Sequence, residues 1–228
     1  MLPACPALLA ARRHAEALIE LPPPVHIRGK AHSDGSCLIP TDPMLSRAAW
    51  NVPGPGPLGL CILAQQRVFG KQTVGPAELS ALVWLSHCTA DFSVSTDCLY
   101  LRKRFARLTT GPMPRSWTEG NNGDLWKLVR RTDLVVTWIR SHILPADVAL
   151  SGFTWADWLG NQAADVAAGQ LAATLVLPPD IVSHRERTLA ALQVAYNVMS
   201  KVEETVFTRH HAPDHPIAKR RKRVKRFK

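Results

Sequence analysis

Residues 25–38 read VHIRGKAHSDGSCL, and the fold turns on how the end of this stretch is read. An alternating run from Val25 reaches Asp34, with Gly35 and Ser36 directly behind it. The pattern predicts a first strand over Val25 to Cys37, with a carboxylate where the strand stops. Gly35 has access to backbone angles closed to other residues. That predicts a sharp turn which leaves Asp34 and nearby N–H groups pointing at a ligand. Taken alone, a D-G-S triplet is better explained as an ordinary turn, so the reading depends on partners for Asp34 downstream.

Further along, Ala48 to Val52 and then Leu58 to Ala64 read as a second strand, interrupted by the Pro/Gly run at 53–57, and Arg67 to Thr73 as a third. Short connections between them predict an antiparallel meander. The period then changes. Pro76 suits a first helical turn, and Glu78, Leu79, Leu82, Val83 and Leu85 follow at helical spacing, which puts Glu78 in that first turn. There its plain explanation is to complement the helix dipole. Phe92 to Thr96 reads as a fourth strand and Cys98 to Leu108 as a helix, with Asp97 between them, where it could serve only as an N-cap. Asn122 or Asp124 is expected to cap a short helix over Leu125 to Arg131. Leu134 to Ile139 reads as a fifth strand, apolar enough to be buried on both faces, and His142 follows it. A last domain helix begins near Asp157 or Asn161 and carries Asp165. Asp157, three after Thr154, fits a helix cap and is kept out of any site.

Around this block, Ala4 to Leu21 reads as a helix ended by Pro22 to Pro24, and Ser183 to His210 as an amphipathic helix behind Leu177-Pro178-Pro179. Leu189, Leu192, Val198, Val202 and Val206 form a partial apolar stripe on it. The expected organisation is an extension over 1–24, an α/β domain over 25–170, and a helix with a basic tail over 171–228. Most of the seven tryptophans lie in apolar runs and read as core rather than base-stacking platforms.

At 228 residues, 46% hydrophobic and 20% charged, the composition is that of an ordinary globular chain able to bury one good-sized core. The apolar run Leu2 to Ala11 has no basic segment before it, is far short of a span, and meets Arg12 and Arg13. Neither a signal peptide nor a membrane anchor is therefore expected. The net charge of +10 looks like a nucleic-acid signature until it is divided along the chain. The last ten residues, KRRKRVKRFK, hold eight Lys or Arg, and subtracting those eight leaves +2 on the rest. The tail suits a nuclear-import signal, a nonspecific phosphate clamp or a solubilising end equally well. The five cysteines show no zinc spacing and read as reduced, mostly buried thiols of an intracellular protein.

The assembled order is three strands, helix, strand, two helices, strand, helix. Acidic residues stand at the end of strand one, the start of the first helix, the end of strand four and inside the last helix. In this order the chain resembles the ribonuclease H family, type 1, most of all the versions carried by retrotransposon reverse transcriptases. The stretches that carry the resemblance are HSDGS at Asp34, AELSAL at Glu78, VSTDCLYL at Asp97, WIRSH ending at His142 and GNQAAD ending at Asp165. Together they cover Val25 to Gln170. The resemblance implies an RNase H-like five-stranded mixed sheet flanked by helices, and an enzyme that cuts the RNA strand of RNA–DNA hybrids. It also implies that Asp34, Glu78, Asp97 and Asp165 are metal ligands, with His142 assisting proton transfer or product departure. Gly35, Ser36, Asn161, Arg102, Lys103 and Arg107 would lie along the nucleic acid. Such domains also occur as parts of larger polyproteins.

Four carboxylates gathered at one point repel and cannot all stay ionised without cations. Hard oxygen ligands suit Mg²⁺ or Mn²⁺, and two ions about 4 Å apart suit phosphodiester hydrolysis. The sequence departs from the family where polar amide residues usually touch the hybrid: Val74, Gly75 and Leu99 stand there instead. The stretch between His142 and Asp165 is also longer than usual, and no separate basic helix is evident between Leu108 and Asn121. Arg102, Lys103, Arg104 and Arg107, with Arg115, would have to grip the duplex. A catalytically weak domain that binds nucleic acid or protein, or a related nuclease with another substrate, is the competing expectation.

Overall fold

The computed structural model describes residues 6–89 and 91–211, excluding the side chains of 209–211. The chain divides into two compact units, residues 1–177 and 178–228. The first runs α1 (Pro6–Glu16), β1 (Gly29–Leu38), β2 (Arg47–Gly56), β3 (Gly59–Arg67), α2 (Val74–His87), β4 (Phe92–Thr96) and α3 (Leu99–Leu108). Single turns α4 (Arg115–Thr118) and α5 (Gly123–Trp126), strand β5 (Val135–Trp138), a 3₁₀ turn, α6 (Val148–Ser151) and α7 (Trp155–Thr174) complete it. The sheet order is β3-β2-β1-β4-β5. β1, β2 and β3 pair antiparallel, whereas β1–β4 and β4–β5 pair parallel. This is the five-stranded mixed sheet that was expected.

α2 holds the unit together. Every residue from Pro76 to Ser86 is buried, as happens to a helix that is apolar all round and must lie inside the protein. Leu79, Leu82 and Leu85 are each almost fully covered, a gross gain of roughly 1.5–3 kcal/mol apiece. Trp84 rests 6.2 Å from Trp50 of β2, and its indole N–H donates to the Pro22 carbonyl at 2.9 Å. The proline linker is thereby tied to the core.

Several expected boundaries move, each for a physical reason. β1 begins at Gly29, whose positive φ breaks it from an isolated bridge at His26. The Pro/Gly run does not interrupt β2 but forms its second half. Residues 53–56 pair only with β3, beyond a register shift at Val52/Pro53, so the proline nitrogens have a side of the strand where no ladder bond is lost. β3 is therefore Gly59–Arg67, and the third strand predicted at Arg67 to Thr73 is a loop. α1 stops at Glu16 rather than Leu21, where side chains take the backbone carbonyls: the Arg67 guanidinium donates to Ala15 and, just past the helix, to Ala17, and Gln72 donates to Ala15. β5 is an edge strand, not one buried on both faces, and Val135 is 60% exposed. α5 is shorter than predicted. Gly123 meets the Thr118 carbonyl so closely that no Cβ fits, and Asn122 precedes it in a left-handed conformation. A one-turn α4 stands where no helix was read.

Trp50, Trp84, Trp117 and Trp126 are core as expected, but Trp138 and Trp155 are exposed. Among the described cysteines only Cys88 is buried, and Cys61 is exposed. In the second unit α8 spans Pro179–His211, with Val198, Val202 and Val206 exposed. The basic tail and Cys5 fall outside the described residues. No single helix among the described residues is long and apolar enough to cross a membrane.

Candidate active site

The parallel register of β1 and β4 runs from Gly29↔Phe92 to Ser33↔Thr96. Asp34 and Asp97, the next residue on each strand, therefore emerge side by side where β1 loses β4 as a neighbour. β1 itself continues to Leu38 and pairs with β2, so Asp34 lies opposite Asn51 in mid-strand rather than at a strand end. Gly35 makes no turn. It sits in the ladder opposite Trp50, and a Cβ there would collide with Ala77 and the backbone nitrogen of Glu78. Its value is close approach: the missing side chain lets α2 press onto β1 and sets Glu78 beside Asp34.

α2 starts at Val74, two residues before Pro76, so Glu78 is the fifth helical residue and lies beyond the first turn. At 5% exposure it is too deep to serve as a surface complement to the dipole. Asp97 is not the cap of α3; Cys98 holds that position. The Asp97 carbonyl accepts the indole N–H of Trp138 at 2.9 Å, which ties the strand end to β5.

One carboxylate oxygen from each of Asp34, Glu78 and Asp97 lies within 4.8 Å of the others. Burial is the main reason that all three titrate high, and their mutual repulsion adds to it. Asp34 is pushed up to about 6, first by desolvation and then by Asp97, with Asp165 adding and hydrogen bonds from Glu78 and the Gly35 N–H opposing. Glu78 is raised well above the ordinary glutamate value by desolvation, then by Asp34 and Asp97. Asp97 rises through desolvation and Asp165, moderated by His142. Oε2 of Glu78 is buried without a hydrogen-bond partner, and among the described residues no Lys or Arg forms an ion pair with the three acids. Crowded, desolvated, cation-free oxygens with an orphaned acceptor fit a small divalent cation such as Mg²⁺ or Mn²⁺.

Asp165, on α7, stands outside the three-residue cluster but is near enough to raise Asp34 and Asp97. His142 is exposed, has a left-handed backbone (φ 53), and is near enough to lower Asp97. A cleft of about 530 Å³ opens beside it, lined by Arg140, Ser141, Leu144 and Leu150 among others. Gly35 and Asn161 are buried, whereas Ser36 is half-buried. Arg102, Lys103 and Arg107 are exposed on α3. Arg104 lies over Tyr100 and Trp117 at 4.4 and 4.3 Å, and Arg115 is exposed and pairs with Glu119 at 3.2 Å. Asp157 completes a capping box with Thr154 and takes Lys30 at 2.7 Å. It is structural, as expected.

Asn51 was not singled out from sequence. It is fully buried opposite Asp34, and neither its amide nitrogen nor its oxygen has a partner. One polar residue inside the apolar run AAWNV was the available signal. Gly160 was missed too: its absent Cβ makes room for the His32 ring, so α7 can lie against β1. His32 stays neutral down to about pH 4, mainly through burial.

No protein-family model matches the chain, and a search of curated proteins finds no match. Among solved structures, the PFV RNase H domain is 18% identical, with a TM-score of 0.45, over 65% of this chain and 96% of that one. A foamy viral protease-reverse transcriptase in complex with RNA/DNA hybrid is 18% identical, with a TM-score of 0.42, over 70% of this chain; the match spans 22% of that longer protein. RNase H1 from the halophilic archaeon Halobacterium salinarum is 20% identical, with a TM-score of 0.31, over 49% and 85% of the two chains. By the order and direction of its own five strands, the sheet described here is of the RNase H-like type.

Proposed function

We propose that this chain is an endonuclease that cuts the RNA strand of RNA–DNA hybrids, with Asp34, Glu78, Asp97 and Asp165 holding Mg²⁺ or Mn²⁺, two ions in all. The observation that supports it best is the meeting of three acids from two strands and a helix within 4.8 Å. Bound there, divalent ions would offset the repulsion and supply Lewis acidity and an acidified water for phosphodiester hydrolysis. The protein's own contribution is rigidity. The Gly35 N–H donates to Oδ1 of Asp34 at 2.8 Å, which fixes that carboxylate before any ligand arrives, and Glu78 is immobilised by the buried body of α2. His142 would carry a proton to or from the departing oxygen through its exposed imidazole. Arg102, Lys103 and Arg107 would hold phosphates as an exposed basic row.

Cleavage of an end-labelled hybrid with Mg²⁺, compared between the wild type and Asp97→Asn, tests this reading. Loss of cutting with hybrid binding retained is expected, and equal activity in the two proteins would overturn it. A second reading, a binding module with a weak site, draws on two observations. Leu99 is 41% exposed where the resemblance puts a polar amide, and Asp165 stands outside the cluster. Absence of cutting by the wild type in both Mg²⁺ and Mn²⁺, with hybrid still bound, is its signature.

A further inference from the structure

Side chains alternate between the two faces of the sheet, and contacts already described assign each residue to one face. On β1, Gly35 faces α2, where a Cβ would collide with Ala77. Lys30 and His32 face α7: Lys30 reaches Asp157 at 2.7 Å, and the His32 ring fills the space that Gly160 leaves. Asp34 follows His32 by two residues and so stands on the α7 face. On β2, Trp50 faces α2 and lies 6.2 Å from Trp84, which turns Asn51 toward α7. Asp34 and Asn51 are direct partners in the antiparallel register, so their side chains are neighbours on one face, with Cβ atoms about 5 Å apart. Asp97 flanks Asp34 from β4, and Asn51 flanks it from β2 on the other side.

Asn51 is 0% exposed, and neither Nδ2 nor Oδ1 has a hydrogen-bond partner. A buried amide that makes no hydrogen bond is costly, and an apolar residue of the same size would pack there at less expense to the fold. The rest of this layer offers the amide little. Ala49 beside it and Ala164 and Ala168 of α7 are apolar, and Lys30 and Asp157 are engaged with each other. The acceptor that the register sets next to it is the Asp34 carboxylate. One oxygen of that group takes the Gly35 N–H, which leaves most of its lone pairs open to a second donor. Here the Asp34 side chain is hydrogen-bonded to Glu78, which leaves the Asn51 amide unpaired beside it.

We propose that Asn51 is a positioning residue for the metal centre: its side-chain amide donates to the Asp34 carboxylate and holds it in the orientation that binds divalent ions. Closed to solvent, Asn51 meets neither an ion nor the hybrid and acts through Asp34 alone. Partners of this kind fix a ligand's orientation and so raise the affinity of the site. The inference rests on the reading of the acidic cluster as a metal centre.

The test measures Mn²⁺ binding to the full chain from the loss of the free-ion EPR signal, alongside the melting temperature in a chelator. Asn51→Leu removes the amide and nearly keeps its volume, and Asn51→Ala removes it without any risk of overpacking. Asn51→Leu should melt no lower than the wild type in the chelator, while both variants bind Mn²⁺ about tenfold more weakly. Asp97→Asn, which deletes a ligand, should lose more. A purely structural asparagine would shift the melting temperature and leave the affinity of the folded variants alone. If the wild type binds no Mn²⁺, or Asp97→Asn binds it as the wild type does, the metal centre itself fails and the proposal with it. If Asp97→Asn loses affinity while both Asn51 variants keep theirs, the proposal alone is overturned.

Discussion

The acidic cluster and the buried Arg47 of β2, 4% exposed, set two kinds of buried charge in one sheet against each other. At the cluster, three like groups share one buried space and add to one another's titration, and no Lys or Arg among the described residues pairs with them. At Arg47 a single cation is half satisfied by two carbonyls. Crowding, more than burial, separates them. Like charges compound one another's cost, whereas a lone guanidinium with five donors can spread its demand over neutral acceptors. A fold keeps the first arrangement only for what the acids do together, so substitutions there should trade activity against stability.

The largest expected effect follows from this. Asp97→Asn should lower hybrid cleavage by about 100-fold or more, while the metal-free protein melts no lower than the wild type and by the argument above melts higher. Cleavage rates and melting curves in a chelator read the two halves separately. A variant that lost activity because it unfolded would break the comparison.

The pH dependence of stability comes next. Asp34 in the folded protein titrates near 6 against 3.8 for the ordinary side chain, so the fold binds that proton more tightly than the unfolded chain does. Its stabilising contribution is complete below about 4 and is lost as pH rises through 6, up to about 3 kcal/mol. His32 runs the other way. Its folded value of about 4 against 6.5 gives stability that is present above 6.5 and lost as pH falls toward 4. The difference between wild type and Asp34→Asn removes the histidine, which both share. In a chelator, the variant should gain on the wild type between pH 4 and 7, and saturating Mg²⁺ should erase the gain. An unchanged difference across that range would show that neither burial nor its acidic neighbours hold Asp34 above its ordinary value.

Gly35→Ala should cost about 1–3 kcal/mol, since the new Cβ drives α2 off β1. A drop of a few degrees in Tm is expected for a chain of this size, with a loss of cleavage because Glu78 moves with the helix. Gly111→Ala, where nothing lies within 4 Å of the added atom, is the matched control and should change neither.

The same glycine shows what a linear reading can reach. Local period took each acid singly as part of a turn, a dipole complement or a cap; the resemblance, carried by the motifs in their order, grouped them, and Asp34, Glu78 and Asp97 do meet. The cause of their meeting was not legible: a D-G pair reads as a turn from local rules, whereas here the glycine is a hole in a strand that another element fills. The Pro/Gly run misled for a related reason. Proline is a breaker only where its missing N–H would have been used, and that depends on whether a neighbouring strand reaches residues 53–56. β5 was read as buried on both faces because an apolar run does not state its place in the sheet, and the edge position leaves it open. Arg104 lies over aromatic rings from two other elements, a placement no local period states. Asn51 and Arg47 declare themselves only once β2 is threaded beneath its neighbours.

The smallest expected effect is also the sharpest for the contrast. Arg47→Met removes a buried charge and its orphaned Nη2, which favours the variant, and leaves the Met44 and Ser46 carbonyls without their donor, which opposes it. Each side is on the order of 1–3 kcal/mol, so the net change should stay within about 1 kcal/mol, or a few degrees in Tm. At the cluster the balance tips the other way for Asp97, because deleting it relieves Asp34 and Glu78, which its charge pushes up. If Arg47→Met instead melted far below the wild type, the two carbonyl bonds would outweigh the unmet Nη2 and the guanidinium would be a structural keystone. If it melted well above, the unmet Nη2 would outweigh both carbonyls, and the position would resemble the acids across the sheet: a charge kept at the expense of the fold for something it holds.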